Sequence, residues 1–540
     1  MIPISQTHKY IIVTGGVMSG LGKGLLSASL AKLLNASGYI VLPIKFDGYL
    51  NLDAGTINPF KHGEVFVLDD GTETDMDLGE YERFLDTSLD SWSSLTGGRI
   101  FHNIIEKERR GDFLGQDIQF IPHVTDEIIN WIKEKDGAAD ITLVEVGGTV
   151  GDIENAYFIE ALRQLSLSVN KSDVCWCHVT LIPELSVVGE QKTKPTQASV
   201  KTLQGMGVQP DILLCRSEQP LRPEVRQKIA LFCNVSIDDV ISGHNVNVIY
   251  EYPFQLLEEE ILSSVFTKLQ IGPRKVPTLE VWKKLIDNLN NPKGEVIIGI
   301  GGKYTQLGDA YVSITKALTH SSALLGVKVN PVFIETSNLA EDDIQPNISH
   351  CDGIIIPGGF GTRGVEGKIA LIKYVREKNI PFLGLCLGLQ CAIIEFARNI
   401  CNLKEANSTE FNDSTPHPVI ILLPSQRDVY RKGGTMRLGA YPIILSEGSK
   451  AYKIYGKKEV SERFRHRYEV NPEYMATLES NGFLFSGLSA DGSVVHVGEL
   501  EDHPFFIGTQ YHPEFLSRFE KPSPLFTSFI ETCFESRRSV

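Results

Sequence analysis

A cysteine between small residues at the end of an apolar run is the first pattern here that could do chemistry. Ile380-Pro381-Phe382-Leu383 leads into Gly384-Leu385-Cys386-Leu387-Gly388, and a helix-like stretch starts near Gln390. In such a strand-to-helix turn the small neighbours allow the sharp bend that presents a nucleophile, and the helix N-terminus favours the thiolate. A lone cysteine is otherwise an ordinary small core residue. Far downstream, Gln510-Tyr511-His512-Pro513-Glu514 follows the strand-like Phe505-Phe506-Ile507-Gly508-Thr509. A neutral His512 imidazole can take the Cys386 proton, and a carboxylate two residues on can orient the ring. Pro357-Gly358-Gly359-Phe360-Gly361 ends another apolar run with backbone N–H groups suited to an oxyanion. Cys386, His512 and Glu514 together describe acyl transfer from an amide or ester.

The first half carries a different chemistry. Thr14-Gly15-Gly16-Val17-Met18-Ser19-Gly20-Leu21-Gly22-Lys23-Gly24 follows an apolar strand and opens a helix. Glycines turn backbone N–H groups toward an anion at a helix N-terminus, and Lys23 adds a cation for terminal phosphates. A strict P-loop has Gly at position 17 and Ser or Thr at position 24, so this loop departs from it, and a plain tight connection is the alternative. Glu145 closes the apolar run Ile141–Val146, where an α/β sheet gathers its ligands. A second acid, Asp77, lies in Glu73–Phe84, and two carboxylates with phosphate oxygens make the hard shell that Mg2+ prefers. Solvated loop acids are the plainer alternative. Gly151-Asp152-Ile153-Glu154, the stretch Lys192-Thr193-Lys194-Pro195-Thr196-Gln197, and Lys228 in an expected helix are either solvated charges or a second triphosphate site.

These residues need a scaffold, and the pattern of apolar runs supplies one. Tyr10–Val13, Val41–Phe46, Ile141–Val146, Val174–Leu181 and Asp211–Arg216 read as strands, and Leu25–Leu34 as a helix directly after the glycine turn. Strands apolar on both faces and separated by helices predict a doubly wound, mostly parallel sheet covered on both sides. Pro273, Pro277 and Pro292 then bracket a polar stretch that fits one exposed helix. The α/β alternation restarts at Val296–Ile300, Val327–Phe333, Gly353–Pro357 and Ile380–Leu383, while Glu405–Thr415 reads as a surface loop. Domains are therefore expected at 1–271 and 295–540, joined by a linker at 272–294.

Length and composition agree. At 540 residues the chain exceeds the roughly 100 to 200 residues of one domain. With 42% hydrophobic and 22% charged residues it is globular rather than disordered. A net charge of −15 without long basic blocks argues against a nucleic-acid or membrane surface as partner. Nine scattered cysteines without a CxxC pair indicate a reducing compartment. The apolar run Tyr10–Val13 is too short for a signal peptide, and no run approaches the roughly 18 residues of a membrane helix. A cytoplasmic protein is expected.

A phosphate-transfer half and an amide-cleaving half in one chain suggest a glutamine-dependent amidotransferase. Along nearly its whole length the chain resembles the CTP synthases, through VTGGVMSGLGKG, HGEVFVLDDGTETDMDLGEYERF, VEVGGTVGDIE, GEQKTKPTQ, PDILLCRS, KIALFCNV, PGGFG, GLCLGLQ, GGTMRLGA, RHRYEVN and QYHPEF. GLCLG and QYHPE alone would mark only the wider class I glutaminase group. The resemblance implies a P-loop-type synthetase domain followed by a class I glutaminase domain. It also implies amination of UTP to CTP with ATP, Mg2+ and glutamine, through a 4-phosphorylated uracil. Residue by residue, it places ATP on Gly20, Leu21, Gly22, Lys23, Gly24, Asp77, His244, Asn245 and Val246, with Asp77 and Glu145 on the metal. UTP, and in part the inhibitor CTP, would take Ser19, Asp152, Ile153, Glu154, Lys192, Thr193, Lys194, Pro195, Thr196, Gln197 and Lys228. Glutamine would be held by Gly359, Leu387, Gly388, Leu389, Gln390, Glu410 and Arg467, with Cys386, His512 and Glu514 as the triad. The resemblance further implies activation by GTP and a homotetramer. Gly20 stands where the family often has Ser, and His244-Asn245 where it usually has Lys-Asp. The alternative is another P-loop amidotransferase of the cobyric acid synthase kind, against which KTKPTQ and GDIE speak.

Overall fold

Strand Lys9–Gly15 is buried along its whole length and lies at the centre of a seven-stranded sheet. The computed structural model that shows this describes residues 8–57, 63–185, 189–303, 311–422, 426 and 433–538. They form two units, one from the described residues of 1–54 and 80–280, the other from those of 55–79 and 281–540.

In the first unit the strands run in the order Val240–His244, Ile212–Ser217, Val174–Leu181, Lys9–Gly15, Ile141–Val146, Val41–Asp47, Ser94–Thr96, and every neighbouring pair is parallel. All the expected strands form, within a residue or two of their ends. Parallel neighbours require crossovers, and helices such as Lys23–Ala36, Ala156–Ser168 and Lys194–Gly205 supply them. The order reverses at Lys9–Gly15, since the chain visits strands on one side of it early and on the other side late. Its C-terminal end is thus the switch point at which such sheets bind ligands. Phe46, Val144, Phe158 and Leu162 are among the residues that fill the core on one face.

The second unit has a nine-stranded sheet ordered Lys328–Glu335, Glu295–Gly302, Gly353–Ile356, Phe382–Leu385, Phe506–Thr509, Val495–Leu500, Phe483–Leu488, Arg437–Leu445, Glu459–His466. The first five strands are parallel and the rest antiparallel. The antiparallel extension goes beyond the alternation read from sequence. Two expectations need correction. The helix Glu280–Asn290 is amphipathic rather than exposed, because Trp282, Leu285 and Ile286 are buried and the Trp282 ring packs 4.6 Å from that of Phe519. Within Glu405–Thr415, residues Ala406–Ser408 form a strand beside His417–Leu422, since Ala406 and Ser408 have buried side chains to place.

Candidate active sites

Strand Phe382–Leu385 delivers Cys386, and helix Leu387–Asn399 leaves it. Cys386 takes φ 51° and ψ −97°, a conformation L-residues avoid, and that strain is the signature of a nucleophile elbow. The elbow also explains the small neighbours. A Cβ on Gly388 would lie 2.3 Å from the Ile356 carbonyl oxygen, and one on Gly384 would lie 2.8 Å from the Gly388 carbonyl carbon. The Cys386 N–H donates to the Thr509 carbonyl at 2.6 Å, which ties the elbow to the strand that leads to His512.

His512 Nδ1 lies 2.7 Å from Glu514 Oε1, while Nε2 is buried without a hydrogen-bond partner among the described residues. Burial alone would lower the His512 pKa. The Glu514 charge and hydrogen bond, with the Cys386 sulfur nearby, outweigh it and hold the imidazole pKa at about 10. Cys386, His512, Glu514 and Gly359 line one cavity of about 270 Å3. Gly358 must lack a side chain, because a Cβ there would stand 2.8 Å from His512 Cε1.

Gln390, Glu410 and Arg467 are not among the walls of that cavity. Gln390 Nε2 donates to the Tyr468 carbonyl at 2.8 Å and to Gln510 Oε1 at 3.2 Å, and Gln510 Nε2 lies 3.5 Å from the Cys386 sulfur. Glu410 Oε1 accepts the Gly361 N–H at 2.7 Å, and burial pushes this carboxyl's pKa up. That bond takes one N–H of the glycine turn expected to hold an oxyanion. Arg467 donates to Gln426 and, at 3.2 Å, to the Thr435 hydroxyl. Leu389 is packed into the core, so only its backbone can face a ligand.

One wall of the cavity comes from far upstream. Gly55, Thr56, Ile57, Glu64 and Val65 line it, and the hairpin of Phe66–Val67 with Glu73–Thr74 follows. Arg463, fully buried, donates through Nε to Asp69 Oδ1 at 2.6 Å and through Nη1 to the Val67 carbonyl at 3.0 Å. Its own carbonyl accepts the His512 N–H at 2.8 Å. Arg465 Nε donates to Glu73 Oε1 at 2.8 Å, and Phe66 packs on Phe515, which stacks on the His512 ring. Nothing local in the sequence marks Arg463, Arg465, Asp69 or Glu73 as partners. Their only signal is charge, on Glu73, Arg463 and Arg465 within strands and on Asp69 in a turn beside one.

In the first unit the glycine loop turns at the switch point. Gly20 and Gly22 take φ of 75° and 88°, and Gly22 caps helix Lys23–Ala36, where Lys23 and Gly24 are buried. Lys23 Nζ donates to the Gly148 carbonyl at 2.8 Å. Ser19 is exposed and Leu21 buried. Asp152 Oδ2 accepts the Thr149 N–H at 2.9 Å, while Ile153 and Glu154 are exposed. Thr193 precedes helix Lys194–Gly205, with Pro195 in its first turn, and accepts from Gln197 Nε2 at 2.9 Å. Thr196 Oγ1 donates to the Leu181 carbonyl at 3.1 Å, Lys192 pairs with Glu190, and Lys194 is exposed. The hydrogen bond and charge of Lys192 lower the Glu190 pKa, and Lys228, exposed on helix Pro223–Cys233, adds to this through its charge. Arg216, at the end of strand Ile212–Ser217, donates to the His244 carbonyl at 3.3 Å and to Asn245 Oδ1 at 3.1 Å; Val246 follows, half-buried. A Cβ on Gly22 would lie 3.7 Å from Arg216 Nε, so this arginine stands between the glycine loop and the 244–246 turn. The sequence reading gave it no role.

Glu145 is buried at the strand's C-terminal edge, and its two oxygens accept from Lys45 Nζ, at 3.0 Å, and from the Tyr81 hydroxyl. Each oxygen keeps a second lone pair, so the donor chemistry suits Mg2+. Among the described residues no group of three or more His, Cys, Asp or Glu could hold a metal by itself. Mg2+ normally takes one or two carboxylates and completes its shell with phosphate oxygens and water, so this arrangement fits it. Asp77, in the first turn of helix Met76–Leu85, groups with the second unit.

A phosphate-type loop at a switch point and a Cys–His–Glu set at an elbow call for comparison with known proteins. The family described as CTP synthase N-terminus matches residues 9–271, and that described as Glutamine amidotransferase class-I matches residues 306–532. The CTP synthase of Methanocaldococcus jannaschii is 52% identical, covering 97% of this chain and 98% of that protein. The CTP synthase of Cytophaga hutchinsonii is 50% identical, covering 97% of each. The solved glutaminase domain of Trypanosoma brucei CTPS with bound acivicin is 36% identical, with a TM-score of 0.42, covering 44% of this chain and 94% of that one. Matches that run through both halves without a break in order leave one assignment: the chain belongs to the CTP synthase family.

Proposed function

We propose that the two units divide the reaction, the second releasing ammonia from glutamine and the first activating and aminating UTP, with the residue roles below. The overall activity follows from the family: the chain is a glutamine-hydrolysing carbon–nitrogen ligase that converts UTP to CTP with ATP and Mg2+. A cobyric-acid-synthase-like reading is not favoured, because the synthetase half matches the CTP synthase N-terminus.

Cys386 Sγ attacks the glutamine amide carbon with its proton already held on the basic His512, which gives it to the departing ammonia. Water then releases glutamate from the thioester. Glu514 accepts from Nδ1, keeping Nε2 toward the thiol and stabilising the imidazolium. Gly359, Gln390, Glu410, Arg467 and the first helical turn Leu387–Leu389 position the glutamine. In the first unit, Gly20 to Gly24 and the 244–246 turn bind ATP, and Ser19, the segments 152–154 and 192–197 and Lys228 bind UTP; the resemblance adds Asp77 to the ATP contacts. Uracil O4 is a poor leaving group; its attack on the γ-phosphoryl makes a 4-phosphate that ammonia displaces at C4. Lys23 stabilises charge on the transferred group. Asp77 and Glu145 would hold Mg2+, which supplies electrostatic neutralisation of the phosphates when bound.

Activation by GTP, inhibition by CTP at a shared triphosphate pocket and a homotetramer rest on the family resemblance alone. A cytoplasmic location is proposed with them, supported by nine unpaired cysteines. Among the described residues no helix is long and apolar enough to cross a membrane. The observation that carries the whole reading is the single cavity shared by Cys386, His512 and Glu514 in a chain that also holds the Lys23 loop. The test is CTP formation from UTP, ATP and Mg2+ with glutamine or with ammonium. Both should yield CTP; glutamine hydrolysis with no CTP from either source would refute the reading.

A further inference from the structure

His178 is fully buried in strand Val174–Leu181, next to Thr14 in the parallel register, and lines no described cavity. Both ring nitrogens are engaged: Nδ1 lies 2.9 Å from Thr14 Oγ1 and Nε2 lies 2.7 Å from Ser199 Oγ. Thr14 begins the glycine loop. Ser199 lies in helix Lys194–Gly205, whose head carries the KTKPTQ residues. The imidazole thus ties the two segments together from behind.

The chain of contacts closes on the backbone as well. The Gly16 N–H donates to the Val179 carbonyl at 3.0 Å, and a Cβ on Gly16 would fall 1.5 Å from Ser199 Oγ. The loop therefore packs directly on the helix. A second link runs from Thr180 Oγ1 to Thr196 Oγ1 at 3.1 Å. Burial, with the nearby Lys23 charge, lowers the His178 pKa to about 3, so the ring is neutral at working pH. A neutral ring has one N–H and one lone pair, so one hydroxyl must accept and the other donate, which makes the link directional.

We propose that His178 is a positioning residue that couples the glycine loop to helix Lys194–Gly205, so that ordering one phosphate-binding segment favours ligand binding at the other. The proposal rests on the assignment of the loop to ATP and of the helix head to UTP. Coupling of two sites through one shared element is reciprocal, and both sites bias it.

The experiment measures UTP affinity of the full chain with and without a non-hydrolysable ATP analogue, under conditions where sedimentation shows one oligomeric state. In the unsubstituted protein the analogue should tighten UTP about fivefold or more, the low end for coupled sites. Ser199→Ala and Thr14→Val should each reduce that factor to below about twofold, leaving UTP affinity measured alone nearly as before. UTP affinity measured alone, together with an unchanged thermal unfolding midpoint, should stay intact and certify the fold of the first unit. If Ser199→Ala impairs folding, His178→Asn, whose amide can still meet Thr14 but not Ser199, should show the same loss. Variants that keep the full linkage, or an unsubstituted protein with none, overturn the proposal. A protein that binds neither nucleotide overturns the site assignment beneath it instead.

Discussion

Glu514 engages His512 through one oxygen only: Oε1 sits 2.7 Å from Nδ1, while Oε2 is buried without a hydrogen-bond partner among the described residues. The pair is thus an orienting contact whose charge, more than its geometry, keeps His512 basic. Glu514→Gln preserves shape and removes that charge. It should lower glutamine hydrolysis by about 10^2 to 10^4-fold, the span of general acid–base catalysis, while ammonia-driven CTP formation persists. Steady-state rates with each nitrogen source decide it, and an unimpaired glutaminase would remove Glu514 from the triad.

Cys386→Ala should abolish glutamine-driven CTP formation and leave the ammonia-driven reaction largely intact, since only acyl transfer needs the thiolate. Equal losses with both nitrogen sources would contradict the division between units.

Lys23→Ala, Asp77→Ala and Glu145→Ala should each remove activity with either nitrogen source, because phosphorylation of uracil O4 depends on charge stabilisation around the phosphoryl group. Circular dichroism and the thermal unfolding midpoint of the full chain serve as the control for folding. A variant with a near-normal ammonia-driven rate clears its residue of the role.

Replacing Lys192 and Lys194 by Ala should raise the UTP concentration needed and weaken inhibition by CTP in parallel, as a shared triphosphate pocket requires. Inhibition curves at several UTP concentrations test this; weaker UTP binding with full CTP sensitivity would point to separate sites.

Glu462 offers a pH test of the second unit. Burial, with the Glu514 charge adding to it, raises its pKa from 4.5 to about 8, against the lowering effects of the Tyr455 hydroxyl, Arg463 and Lys457. The Tyr455 hydroxyl lies 2.7 Å from Glu462 Oε1 and 3.2 Å from the Tyr511 hydroxyl. A folded-state acid pKa above the unfolded one means the folded form holds the extra proton. Its stabilising effect is complete below pH 4.5 and is lost as pH rises toward 8. Glu462→Gln should therefore flatten the decline of stability between those limits, by up to a few kcal/mol at the upper one. Urea midpoints across the range measure it, and parallel curves for both proteins would refute it.

The legible parts of these sites are the local ones. Cys386, His512 and Glu514 stand out because an elbow and a two-residue His–Glu spacing are written in adjacent residues, and the Lys23 loop follows directly from strand, glycines and helix. His178, Arg216, Arg463 and Glu462 were not legible. Each acts through partners brought near by strand register or by chain returning from far away, and a charged or imidazole side chain in an apolar run does not say which partner it will meet. The antiparallel extension ending in Glu459–His466 was hidden likewise, since its strands differ from the parallel ones in pairing rather than in composition.

The upstream segment whose Gly55, Thr56, Ile57, Glu64 and Val65 wall the Cys386 cavity limits how the gene can be rearranged. A C-terminal cassette starting in the linker would omit Glu64, Phe66, Asp69 and Glu73, and with them the partners of Ser313, Phe515, Arg463 and Arg465. Such a cassette would carry the triad yet uncover the buried Arg463 guanidinium beside the chain that holds His512. Swapping glutaminase halves between family members should therefore succeed only when residues 55–79 travel with residues 281–540. The unit of inheritance is discontinuous in the DNA, so a single crossover in the linker would mismatch the wall against the cavity.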